Sequence, residues 1–156
     1  MLSFVVRLTM KYTDEGRLLT EVILETFKLN GLLVSAGDQL TKELGLTSAR
    51  WKVLGALSND AEPLTVPDIA RRMGQSRQAV QRLANEMIKD ELIAPQHNPQ
   101  HERAKLLLLT QKGEDAYKNI MDKQIPWANA IANDITEADL QTVASTLKKL
   151  NDHLAT

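Results

Sequence analysis

Four arginines, Arg71, Arg72, Arg77 and Arg82, fall between Ile69 and Asn85, a run that contains no acidic residue. Cations gathered in this way can neutralise phosphates. The chain as a whole carries 19 Lys and Arg against 20 Asp and Glu, for a formal net charge of −1. It is not a polycation, so a nucleic-acid site on it has to be a local basic patch of this kind.

Two short amphipathic segments within residues 65–90, TVPDIARRMGQSRQAVQRLANEMIKD, must position these side chains. In the first, Val66, Ile69, Ala70 and Met73 follow the three-and-four spacing of one helical face. In the second, Ala79, Val80, Leu83, Met87 and Ile88 do the same. Thr65 with Asp68 three residues on predicts a capping box, and Pro67 is tolerated in a first turn because its missing N–H has no partner there. Ser76 is placed to cap the second helix, its hydroxyl accepting from an orphan backbone N–H. Met73-Gly74-Gln75 separates the two. Two short helices, a tight turn with glycine and a cationic second helix describe a helix-turn-helix. The same spacing also fits a packed αα-hairpin with solvated arginines, and this stretch alone does not separate the two.

At 156 residues the chain fits one domain or one subunit of a helical dimer. Cysteine is absent, which excludes disulfides, thiol redox sensing, a cysteine nucleophile and Cys-ligated zinc. That absence is consistent with a reducing, cytoplasmic compartment. Charges interrupt every apolar stretch before a membrane span is complete, so no membrane partner is expected. Residues 1–10 carry one charge, Arg7, without an early positive region or a small-residue cleavage site, and do not read as a signal peptide. They are expected to be poorly ordered, with Met10 a second candidate start.

From Asp14 to Leu44 the pattern is helical and apolar over most of the circumference, from Leu18 through Phe27 to Leu40. Such a helix needs partners on more than one side, from a second subunit or from a monomeric bundle. Gly31 and Gly37 each weaken it by about 1 kcal/mol relative to Ala. Thr47 is placed to cap the next helix, with Trp51, Leu54 and Leu57 on one face and a stop at Ser58-Asn59-Asp60. Trp51 fits the core or a ligand platform. After Glu91, two short apolar runs, Leu92-Ile93-Ala94-Pro95 and Lys105-Leu106-Leu107-Leu108-Leu109, flank a polar connection and predict a β-hairpin. Thr110 then opens a helix that Pro126 should kink or break. The last helix starts at a capping box, Thr136 to Asp139, and presents Leu140, Val143, Leu147, Leu150 and Leu154 near heptad spacing.

The order of these elements, with several local signatures, resembles the MarR family of winged helix-turn-helix transcriptional regulators. The resemblance covers about residues 46–113. It runs through LTSARWKVLGAL, then LTVPDIARRMGQSRQAVQRLANEMIKDELI, then the wing NPQHERAKLLLLTQKG with its leucine-threonine-x-x-glycine exit. It implies a mainly α fold with a small β-hairpin wing. N-terminal (1–45) and C-terminal (111–156) helices would dimerise, and residues 46–110 would form the DNA-binding domain. The implied partners are double-stranded DNA, a second copy of the chain, and a small aromatic effector. That effector would sit in a crevice between dimer helices and DNA-binding domain, which Trp51 and neighbouring apolar residues could line. The implied function is a repressor, or an activator, on a pseudo-palindromic operator.

By the same resemblance the DNA-reading positions are Ser76, Arg77, Gln78, Gln81 and Arg82, with Arg103 at the wing tip and Lys105 at its base. Arginine can donate a bidentate pair to guanine, glutamine can pair with adenine, and serine can bond a base or a phosphate. The chain departs from the family in its wing, where Asn98, His101 and Glu102 replace charged residues, which predicts a less preorganised tip. It also has Glu91 where a glycine normally closes the recognition helix, so a left-handed cap is not expected there. Competing readings are a metal protein using His97, His101, Glu102 and His153, whose spacing matches no standard zinc site, and an adaptor or anti-repressor that binds only protein. No phosphate-binding glycine loop, HExxH or nucleophile elbow is present, so no catalysis and no cofactor are expected.

Overall fold

The computed structural model describes residues 11–101 and 103–155. Among them, α1 (Asp14–Thr41), a 3₁₀ turn (Lys42–Leu44), α2 (Ser48–Ser58), β1 (Leu64–Thr65), α3 (Val66–Met73) and α4 (Arg77–Lys89) come first. They are followed by β2 (Ile93–Gln96), β3 (Leu106–Leu109), α5 (Gln111–Ala132) and α6 (Glu137–Leu154). The fold is mainly α with a small antiparallel sheet, a winged helix-turn-helix flanked by long helices. Residues 1–10, expected to be poorly ordered, lie outside the described residues.

The helix starts follow from side-chain caps. Thr47, Ser76 and Thr110 each accept the backbone N–H three residues on, at 3.2, 3.1 and 3.1 Å. Thr65 and Asp68 form the full capping box. At Thr136 the hydroxyl accepts the Asp139 N–H at 3.2 Å and donates to the Asp139 carboxylate at 2.7 Å. Gly74 ends α3 in the left-handed region (φ 62°), which lets the chain turn directly into α4.

The core gathers Val53 and Leu54 from α2, Ile69 and Ala70 from α3, and Val80, Ala84 and Met87 from α4. Leu64, Leu92, Ile93, Leu107 and Ile120 close it. The sheet has the order β1-β3-β2, so the leucine run of β3 is its central strand. Pro95 sits on edge strand β2, where a missing donor is tolerated. Strand β1 has no counterpart in the sequence reading. It is two residues long, and its Thr65 pairs with Leu106 while also capping α3, which ties that helix to the wing.

Two expectations are corrected. The end of α4 does adopt a left-handed cap, with Glu91 at φ 59°. Glu91 N–H donates to the Ile88 carbonyl (3.0 Å) and Leu92 N–H to the Met87 carbonyl (2.9 Å), the Schellman pattern, with Met87 and Leu92 both buried beside it. Long-range partners hold this strained residue in place. The Thr110 hydroxyl donates to the Glu91 carbonyl at 2.6 Å, and Lys112 Nζ to the Asp90 carbonyl at 2.8 Å. Gly113 is what lets the start of α5 lie this close, since a Cβ there would come within 2.0 Å of the Leu92 carbonyl oxygen. The second concerns Pro126: of the expected kink or break, the break does not occur, and α5 runs on from Gln111 to Ala132. Proline forfeits one backbone bond at a cost of about 3 kcal/mol, and the turns on both sides of it keep the helix.

Gly37 serves as a contact, its Cα facing Ser48 so closely that a Cβ would lie 2.8 Å from the serine Cβ. There Asp38 Oδ1 accepts the Ser48 N–H at 2.7 Å, which lowers the aspartate pKa. The first part of α1, through Leu33, is largely exposed, whereas Thr41 at its end is buried. Glu91→Gly should raise stability by about 1 kcal/mol, because glycine adopts the left-handed region without a Cβ penalty. Thermal or urea unfolding checks it, and a neutral or destabilising result would contradict the strain assigned to Glu91.

Candidate nucleic-acid interface

Burial fixes which face of α4 is free. Val80, Ala84 and Met87 are 0% exposed. With 100° between successive residues, Gln78, Gln81, Arg82 and Asn85 must then point outward, and all four are exposed. Arg77 and Ser76, at the start of the helix, are also exposed. Ser76 Oγ accepts the Ala79 N–H as cap, which leaves the hydroxyl proton able to donate.

Arg77, Gln78, Gln81 and Asn85 line one wall of a cleft whose other wall carries Arg103 and Lys105 of the wing. The structure thus brings together five of the seven expected site residues. Ser76 and Arg82 lie outside that cleft, on the exposed surface of the same motif. Asn85 is an addition: Gln81 Nε2 donates to Asn85 Oδ1 at 2.9 Å, so the two amides form one fixed unit. Its position one turn after Gln81 is the sequence signal that could have found it.

The arginines divide into two groups. Arg71 pairs with Asp68 at 2.5 Å, and Arg72 pairs with Asp60. Bonds from the Thr65 hydroxyl and amide, then from Arg71, hold the Asp68 carboxyl down at about 2. Arg77, Arg82, Arg103 and Lys105 make no ion pair with any described residue. The positive charge left for a ligand therefore sits on α4 and the wing.

The wing loop carries side-chain hydrogen bonds of its own. Asn98 is buried; its Nδ2 donates to the Ala104 carbonyl at 2.8 Å and its Oδ1 accepts the Gln100 N–H at 3.0 Å. The His101 N–H closes the turn on the Asn98 carbonyl at 3.2 Å. One neutral amide staples both ends of the tip that carries Arg103. Glu102 lies outside the described residues. Among the described residues, no three His, Asp or Glu side chains come together as metal ligands do, and no helix is long and apolar enough to cross a membrane.

A second concavity of about 590 Å³ lies at the far end of α4, within the usual range for small-molecule sites. Leu44, Leu46, Leu92 and Ala116 give it apolar walls, and Arg50, Lys112, Asp90 and Asp115 its charges. Trp51 does not line it; the indole packs against the core beside Gly37.

The model of the MarR family matches residues 44–104. An uncharacterized protein of Mycobacterium tuberculosis is 36% identical over 132 residues, 85% of this chain and 91% of that protein. The HTH-type transcriptional regulator TcaR of Staphylococcus aureus is 30% identical over 131 residues, 82% of this chain and 85% of TcaR. Among solved structures, AbsC, a MarR family transcriptional regulator from Streptomyces coelicolor, superposes with a TM-score of 0.76 at 20% identity. That superposition covers 94% of this chain and 99% of AbsC.

Asn98→Ala should leave the Gln100 N–H and the Ala104 carbonyl unpaired, a local loss of about 1–2 kcal/mol. Hydrogen exchange at Gln100 and His101 should then quicken about tenfold or more. Unchanged exchange there would remove Asn98 from the role of staple.

Proposed function

The chain belongs to the MarR family, and from that membership we propose that it regulates transcription as a homodimer bound to a pseudo-palindromic operator in double-stranded DNA. The observation that carries this reading is the exposed, acid-free face at the start of α4, facing across one cleft two wing cations that pair with no described residue. In it, α4 enters the major groove. Arg77, Gln78, Gln81 and Arg82 meet base edges there, while Ser76 and the first backbone N–H groups of α4 hold a phosphate. Arg103 and Lys105 grip the backbone at the neighbouring minor groove. Residues 46–110 act as the reading domain, and the helices on either side of them as the dimer frame.

The dimer reading rests on apolar surface. Leu24, Phe27 and Leu32 of α1 are 61%, 70% and 59% exposed, and Ile125 and Ile131 of α5 and Val143 of α6 are at least half exposed. Apolar patches of this extent mark an interface, and a two-fold pair of copies covers the same patch on both. An operator occupied across a promoter blocks transcription, so repression is the direct outcome. An aromatic carboxylate or phenol suits the crevice at the end of α4, with its ring against Leu46 and Leu92 and its anion toward Arg50 or Lys112. Such a ligand would release DNA by favouring a dimer shape whose reading helices no longer match successive grooves.

Duplex binding measured across a salt series tests the reading. The binding constant should fall steeply, with a log–log slope of about −0.9 for each phosphate neutralised. A flat response would favour an adaptor that binds only protein. Arg77→Ala and Arg82→Ala should each weaken operator binding by about 1–3 kcal/mol. Operator affinity unchanged in both variants would refute the site assignment.

A further inference from the structure

We propose that Arg50 is a positioning residue for the reading helix: reaching from α2, its guanidinium sets the pose in which α4 meets DNA. The inference rests on the DNA-binding reading and adds to it a residue that lies away from the interface, at the opposite end of the helix. The unpaired carbonyls at a helix C-terminus already carry partial negative charge, and acidic side chains there add to it unfavourably. Glu86 and Asp90 lie around the last turn of α4, where Lys89 is the basic residue. Arg50 brings compensating charge from another element. Its Nη1 lies 2.7 Å from Asp90 Oδ2 and its Nη2 lies 3.9 Å from Glu86 Oε2. The Arg50 side chain is 20% exposed, so this contact is less screened than an open surface pair. The planar fork of arginine can address two carboxylates from one fixed orientation.

Asp90 is gripped twice. Arg50 holds its side chain from α2, and Lys112 of α5 holds its carbonyl at 2.8 Å. The reading end of α4 has the local Ser76 cap. A helix of 13 residues is about 20 Å long, so a tilt of about 10° at the gripped end displaces the reading end by about 3 Å. Recognition geometry tolerates about 0.5 Å. Loss of the ion pair should therefore blur base reading while leaving the attraction for phosphates in place.

The test compares the full chain with Arg50→Gln, Arg50→Lys, Asp90→Asn and the Arg50→Gln/Asp90→Asn double variant. Each is titrated against a duplex that the wild-type chain selects from a random pool, and against a random duplex of equal length, with circular dichroism recording the folded fraction. Arg50→Gln and Asp90→Asn should each lose about tenfold in affinity for the selected duplex. Affinity for the random duplex should stay within about twofold, and the double variant should be no worse than either single one. Arg50→Lys should recover part of the loss, since an ammonium is a point charge without the fork. Unchanged selected-duplex affinity, an equal loss on random duplex, additive losses, or a loss that tracks unfolding would each overturn the proposal. Asp90→Asn conserves volume and keeps the test valid if Arg50→Gln folds poorly. A wild-type chain that prefers no duplex would instead overturn the DNA-binding reading, and the proposal with it.

Discussion

The rotation of α4 about its own axis is the constraint on which the rest depends. Val80, Ala84 and Met87 are wholly buried, and each large apolar side chain in such a core contributes about 1.5–3 kcal/mol. A turn of the helix by one residue would expose all three and carry polar side chains toward the core, Gln81 and Asn85 in one sense or Glu86 in the other. The face that bears Gln78, Gln81, Arg82 and Asn85 is therefore set by the core, not by the polar residues themselves. Recognition chemistry can vary on that face without disturbing the fold beneath it.

Fixing the rotation leaves the tilt and the ends to be held. At the start, Ser76 closes the turn from α3, and the pairing of Thr65 with Leu106 ties α3 to the wing strand. At the finish, Thr110 holds the carbonyl of the left-handed Glu91, while Asp90 is held through its carbonyl by Lys112 of α5 and through its side chain by Arg50 of α2. The helix that would read DNA is thus joined to the helices that would carry the partner subunit, and the small-molecule-sized crevice lies at that joint. A ligand at the joint and DNA at the other end would act on the same rigid element.

Much of this was legible in the sequence because N-caps are local chemistry. Thr47, Thr65, Ser76 and Thr110 announce their helices through a hydroxyl three residues from the N–H it accepts. The apolar spacing of α3 and α4 likewise places the core face without outside information. What was not legible depends on distant partners or on brevity. Strand β1 is two residues long and has no period to detect. The conformation of Glu91 is imposed by residues about 20 positions later, so its poor intrinsic fit to the left-handed region gives the wrong expectation. Asn98 looks like a lost charge until the loop closes and its amide finds the Ala104 carbonyl. Pro126 signals a break that the surrounding turns of α5 override. At the interface, residue types named the candidates, but only the fold could place Arg77 beside Arg103 and divert Arg71 and Arg72 into ion pairs.

The central claim is that two copies of this chain present two such faces to one duplex. Selection of bound sequences from a random pool of duplex DNA by the full chain tests it most directly. The account predicts enrichment of an inverted repeat whose half-sites are centred about 34–36 Å apart, one helical turn along the same side of the DNA. A pool that stays unenriched, or enriched sequences without two-fold symmetry at that spacing, would contradict it.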